Sequence, residues 1–176
     1  TPALPTPRTH RHAPRAETPM AFVHAVVAAY TARSLSAASA LQQAQIAPEA
    51  LSDARARITA AQMERLCHSA MRELDDEALG WFERRLPWGS YGLLARASSG
   101  APTLGLALAR WCRQHALLTD AIALQCTPLG ASLRITLHEH RPPGGAGQLR
   151  EFCHVSVLRN LLGLACWWVD ARLPLQ

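Results

Sequence analysis

Only one stretch of this 176-residue chain alternates strictly between apolar and polar side chains. From Leu133 to His140, Leu133, Ile135 and Leu137 share one side and Arg134, Thr136 and His138 the other. That period-two pattern marks a half-buried strand. Ala121–Thr127 alternates more weakly, and Leu129–Gly130 between the two runs reads as a turn, which makes them a hairpin. Two strands alone are marginal in water. Either helices cover this hairpin or further strands lie beyond Gln176, and the apolar Leu173-Pro174-Leu175 ending reads as the edge of a fragment.

Everything around the hairpin has helical spacing. Phe22–Leu35 places Val23, Val26, Val27 and Tyr30 for a buried helix, and Ala37–Ile46 forms a short second one that stops before Pro48. Asp53–Ile58 is a connector. Thr59 then caps a helix through Leu74, with Gln62 at the capping-box position and Leu66, Ala70 and Leu74 in one stripe. Asp75-Asp76-Glu77 starts a new turn, where acids complement a helix N-terminus. Leu93–Ala97 is a short helix, and Thr103 opens another whose buried stripe is Leu104, Ala107, Leu108, Trp111 and Cys112. Pro142–Gly147 is a mobile loop. The last helix runs from about Gln148 to Asp170 and is apolar on nearly every side after Leu161. The expected architecture is α+β and predominantly helical, with helices packed around a small antiparallel hairpin and a long C-terminal helix. Residues 1–19, rich in Pro and carrying an Arg-His cluster, read as a flexible tail, and 20–176 as one domain.

Composition removes several chemistries. All 18 basic side chains are arginine, so Schiff-base catalysis, pyridoxal phosphate chemistry and P-loop nucleotide hydrolysis are excluded. The net charge of +5 is modest and lacks the dense basic face of a nucleic-acid module. Five widely spread cysteines without a CxxC pair read as reduced, core-filling thiols of a cytoplasmic protein. The apolar run Leu161–Val169 is too short to span a bilayer, so no membrane partner is expected.

No catalytic constellation emerges, and no cofactor is expected. Gly89-Ser90-Tyr91-Gly92 fails the spacing of a nucleophile elbow. His138 and His140 share a strand face with metal-ligand spacing, and Cys153 or His154 could add a third ligand. That face looks outward, however, and no second ligand pair is fixed. His68 and His115 are lone helical histidines, either core or surface. What remains is a ligand wall. Trp88, Tyr91, Trp111, Trp167 and Trp168 come from three separated elements, with Arg110, Arg113, Arg150 and Arg159 beside them. Arg159 stands out because its helical neighbours Val155, Leu162, Gly163 and Cys166 are mostly apolar. A buried guanidinium needs an anion, either internally from Glu151 or Asp170 or from a ligand.

A set of ordered features carries a resemblance. They are Leu51–Ile58, the helix holding Gln62, the Ala78-Leu79-Gly80 turn, Gly89-Ser90-Tyr91-Gly92, Ala97-Ser98-Ser99 and Pro102–Leu108, followed by the hairpin and long helix. Taken together, they resemble the N-terminal regulatory domain of AraC/XylS-type bacterial transcription regulators, the group whose domain is named arabinose-binding. The resemblance implies a non-enzymatic intracellular module that binds a small-molecule effector and dimerises. It also implies a DNA-binding domain with two helix-turn-helix units after Gln176 as the sole route to DNA. Arabinose itself is not implied as the ligand. Trp88, Tyr91, Arg110, Trp111, Arg159 and Trp167 are the expected ligand contacts, with the arginines fixing an acidic group. The alternative is a ligand-free oligomerisation domain with the Trp-rich last helix as its interface.

Overall fold

In the computed structural model, residues 17–144 and 147–175 are described. The chain begins with β1 (Glu17–Pro19), which continues directly into α1 (Met20–Thr31). β1 pairs antiparallel with β2 (Arg57–Thr59), Thr18 standing opposite Ile58. This corrects two expectations: the last three residues of the supposed tail are a strand, and the supposed connector ends in one. Residues 1–16 lie outside the described residues. Neither strand is long enough to display a period, and Pro19 leaves one amide donor fewer in the ladder.

α1 buries Met20, Val23, Val26, Ala29 and Tyr30. α2 (Ala38–Gln43) and a 3-10 turn at Pro48–Ser52 follow. α3 (Ala60–Glu73) starts at a complete capping box, in which the Thr59 hydroxyl accepts from the Gln62 amide and the Gln62 carboxamide accepts from the Thr59 amide. Its Met63, Leu66 and Ala70 enter the core. At its far end, the Tyr30 hydroxyl donates to Glu73 at 2.7 Å and ties α1 to α3.

No helix follows Asp75-Asp76-Glu77; the chain runs through turns until α4 (Ser90–Ser99), which is longer than its apolar spacing announces. α5 (Leu104–His115) begins at Thr103, whose hydroxyl caps the Leu106 amide, and buries Ala107, Leu108, Trp111, Cys112 and His115. β3 (Ile122–Leu129) and β4 (Ser132–Glu139) form the hairpin, with Cys126 opposite Ile135. Its turn is Gly130-Ala131, one residue later than expected, and Gly130 takes the positive φ of 61° that such a turn requires. α5 lies against β3, so a helix meets the hairpin's need for cover.

α6 (Gln148–Val169) closes the domain against α1 and α5. Phe152, Cys153, Val157, Leu161 and Ala165 form its buried stripe. Its 21 residues from Leu149 to Val169 are long and apolar enough to cross a membrane by composition, although Leu161–Val169 alone is not. One stripe of this helix packs on the domain, and 28% of the apolar window is buried in all. The hairpin is pinned to α6 where Arg150 Nε donates to Glu139 at 2.6 Å. The fold is α+β, predominantly helical, with two small antiparallel strand pairs.

Candidate functional site

Three successive carboxylates shape the segment between α3 and α4. Asp76 is 1% exposed. Its Oδ1 accepts the amides of Ala78 and Leu86, and its Oδ2 accepts the Gly80 amide and the Arg33 guanidinium. Four donors converge on one buried carboxylate, which is how such a charge is tolerated away from water. Glu77, also buried, accepts the amides of Gly89 at 2.8 Å and Tyr91 at 2.7 Å, and so caps α4 from twelve residues upstream. Asp75 accepts the Trp88 amide at 2.9 Å. The acids do complement a helix N-terminus, but it is the N-terminus of α4. Gly89 stands at φ 99°, a conformation that a side chain would strain, and this lets its amide face Glu77.

Within this segment Leu79 holds φ 49° although it has a side chain, and Gly80 follows at φ 81°. The left-handed pair turns the chain into Trp81 and Phe82, both buried. A left-handed residue with a side chain costs about 1–2 kcal/mol, and here the Asp76 carboxylate and the buried Leu79 side chain hold it in place.

Trp81 and Phe82 lie in the middle of an unbroken run of ring contacts. Phe22 meets Phe152 (centroids 5.1 Å apart), Phe152 meets Trp81 (5.4 Å), and Trp81 meets Phe82 (6.3 Å). Phe82 meets His115 edge-on at 6.4 Å, and His115 packs against Trp111 and Tyr91. Tyr91 stacks on Trp111 at 6.1 Å with 18° between planes. His115 is fully buried; its Nε2 lies 3.2 Å from the Tyr91 hydroxyl, and its Nδ1 has no partner among the described residues. Burial lowers its pKa to about 4, since a charged imidazole has no water there. Burial first, then Cys153, Glu77 and Asp76, raises the Tyr91 pKa. His115 and Tyr91 are therefore both neutral near pH 7.

A groove of about 510 Å³ opens beside this run, between the 80–84 turn, the 116–121 segment after α5 and residues 141–144. That volume suits a small organic molecule. Trp81 and Phe82 line it, and the Gly144 amide donates to the Trp81 carbonyl at 2.8 Å, holding the far wall to the near one. Arg84 and Arg141 supply its cations, Glu83 and Asp120 its anions.

Of the residues singled out from the sequence, Tyr91 and Trp111 come together as rings in the buried cluster. The others do not converge on them. Trp88 sits at the start of α4, half-exposed, with the His68 ring edge-on at 5.2 Å and the Arg72 guanidinium 5.8 Å from its centroid. Trp168 donates to Ser99 at the opposite end of that helix, and Trp167 beside it is 73% exposed. Arg110 is half-buried on α5. Arg159 is exposed, which corrects the expectation of a buried guanidinium needing an anion. It makes no ion pair with Glu151 or Asp170, and its charge is felt instead by the Cys67 thiol, which burial still holds at about 12.

His138 bonds Gln125 on the outer face, and no group of three His, Cys, Asp or Glu side chains converges for a metal ion among the described residues. Sequence reasoning missed Trp81, Phe82 and Arg84 and left His115 open. The available signal was two adjacent aromatics after Gly80 in a stretch without helical or strand period, followed by the mixed charges Glu83-Arg84-Arg85.

A small helical domain with a preformed groove over an aromatic core is the class that this geometry defines. The sequence model described as the arabinose-binding domain of AraC transcription regulators, N-terminal, matches residues 35–176, and the chain belongs to that family of regulatory domains. None of the curated proteins compared with the chain matches it.

Proposed function

We propose that the chain is the effector-sensing part of a cytoplasmic AraC-type transcription regulator. It binds a small organic acid without catalysis, pairs with a second copy, and reaches DNA only through a separate helix-turn-helix domain. The observation that carries this reading is the groove of about 510 Å³ walled by Trp81 and Phe82, in a chain whose family is regulatory. Tyr91 and Trp111 keep a role in it as the ring layer behind Phe82, reached through His115. Trp88, Arg110, Arg159 and Trp167 have no such route to the groove among the described contacts.

An effector that binds the folded domain raises its melting temperature with occupancy. A thermal-shift screen of small carboxylic acids, with their neutral amides as controls, tests the reading; a domain indifferent to all of them contradicts it. A ligand-free oligomerisation domain is the second reading. It is favoured by the exposed apolar side chains Leu158, Trp167, Val169 and Leu175 along α6 and just after it. Self-association that no ligand alters, measured by sedimentation, would support it.

A further inference from the structure

Two guanidinium groups line the groove, and they differ in what they hold. Arg141 is committed: it pairs with Glu83 at 3.1 Å and with Asp120. Arg84 is fixed but not neutralised. One of its nitrogens, Nη2, donates to the carbonyls of Leu117 at 2.8 Å and Leu118 at 3.4 Å. No carboxylate pairs with it among the described residues, and its other N–H groups find no acceptor there. A long side chain already anchored by backbone carbonyls loses little freedom when an anion arrives.

The second observation is at Trp81. The residue is 3% exposed, and its indole N–H has no hydrogen-bond partner. A buried donor left unpaired is costly, and native proteins rarely leave one without a reason. Trp81 is one of the residues that line the groove, and its ring packs on Phe82 and Phe152. No polar group of the protein satisfies this donor among the described residues, so its signal is sensitive to any change at the groove beside it.

The charge pattern narrows the ligand further. Glu83 and Asp120 lie on the same rim, so the groove offers one uncommitted positive charge with two carboxylates close by. Such a rim repels a polyphosphate and accepts a single negative charge. We propose that this groove is the effector site and that its ligand is a small organic monoanion with a flat apolar body. The ligand's carboxylate is held by Arg84 and its body lies against the Trp81 and Phe82 side of the groove. The inference rests on the sensing reading above and adds the place and the ligand class to it.

The chain's five tryptophans make the test direct, because each reports a different location. The indole N–H signals of 15N-labelled protein are assigned by single Trp→Phe variants and followed while benzoate, benzamide or benzylamine is added. The expected result is that benzoate moves the Trp81 signal and that benzamide needs about tenfold more or beyond, as the loss of one charge-assisted bond implies. Arg84→Gln removes that preference, whereas Arg85→Gln, whose parent residue pairs with Asp75 at 3.5 Å outside the groove, keeps it. Benzoate that moves the Trp88, Trp111, Trp167 or Trp168 signal but not that of Trp81 overturns the site and leaves the sensing reading standing. Unchanged benzoate preference in Arg84→Gln overturns the role of Arg84. If none of the three probes moves any indole signal, this inference falls, and the sensing reading falls with it only when the thermal-shift screen also finds no ligand. Arg84 is exposed, so its substitution leaves the core intact, and Trp81→Phe keeps the ring contacts while deleting the donor.

Discussion

Arg33 and Asp76, forty-three residues apart in the chain, meet at 2.5 Å, with the carboxylate buried and the guanidinium about one quarter exposed. The pair joins the end of α1 to the turn that carries Trp81. Its two halves are unequal. Asp76 also receives three backbone amides, so removing its charge strands donors that water does not reach. Arg33 can rehydrate.

Asp76→Asn is therefore expected to destabilise the domain by about 3–5 kcal/mol, the range for breaking a buried charged pair from one side. Arg33→Gln should cost clearly less. Urea unfolding of both variants checks the order; equal losses would show that the amides, and not the pair, are secondary.

Glu77→Gln keeps one acceptor oxygen for two amides, and a loss of about 1–2 kcal/mol is expected. The effect should be local. Hydrogen exchange at Gly89 and Tyr91 should accelerate more than in α3, and uniform acceleration would mean that α4 does not depend on this cap.

The capping box at Thr59, the α5 stripe and the hairpin were legible because each is a local pattern: a hydroxyl three residues before Gln62, apolar spacing of three and four, strict alternation. β1 and β2 were not legible. Three residues paired to a segment about forty positions away leave no periodic trace. Arg159 was misjudged for the opposite reason. α6 is apolar on most sides, so apolar neighbours at helical spacing do not reveal which side other helices cover. The groove was illegible because its walls come from three separate non-helical segments, one of them shaped by Asp76 and none by a periodic side-chain pattern.

His115 makes stability depend on pH in a known direction. Its imidazole is held at about 4 in the folded state against 6.5 in the unfolded chain, so the unfolded state binds the proton first as pH falls. This contribution is intact above pH 6.5 and is lost progressively down to pH 4, to a total of about 3 kcal/mol. His115→Gln should lose less stability than the parent between pH 7 and pH 4. Parallel pH profiles from urea melts would rule this out.

Trp167→Glu replaces a ring that is 73% exposed, and its effect on the monomer should stay within about 0.5 kcal/mol. If α6 carries the contact with a second copy, sedimentation will show weaker association for this variant at unchanged melting temperature. Association that survives the change places the contact elsewhere.

The turn between α3 and α4 takes its path from carboxylates gripping main-chain amides, and amides are the same whatever side chain they bear. Glu83 and Arg84 reach from that path to the groove rim, both exposed and neither bonded to the gripped amides. Substitutions there alter what the groove attracts while the framework stays in place. A lineage of such domains can in this way exchange one chemical signal for another by changing a few rim residues, with the inner architecture undisturbed.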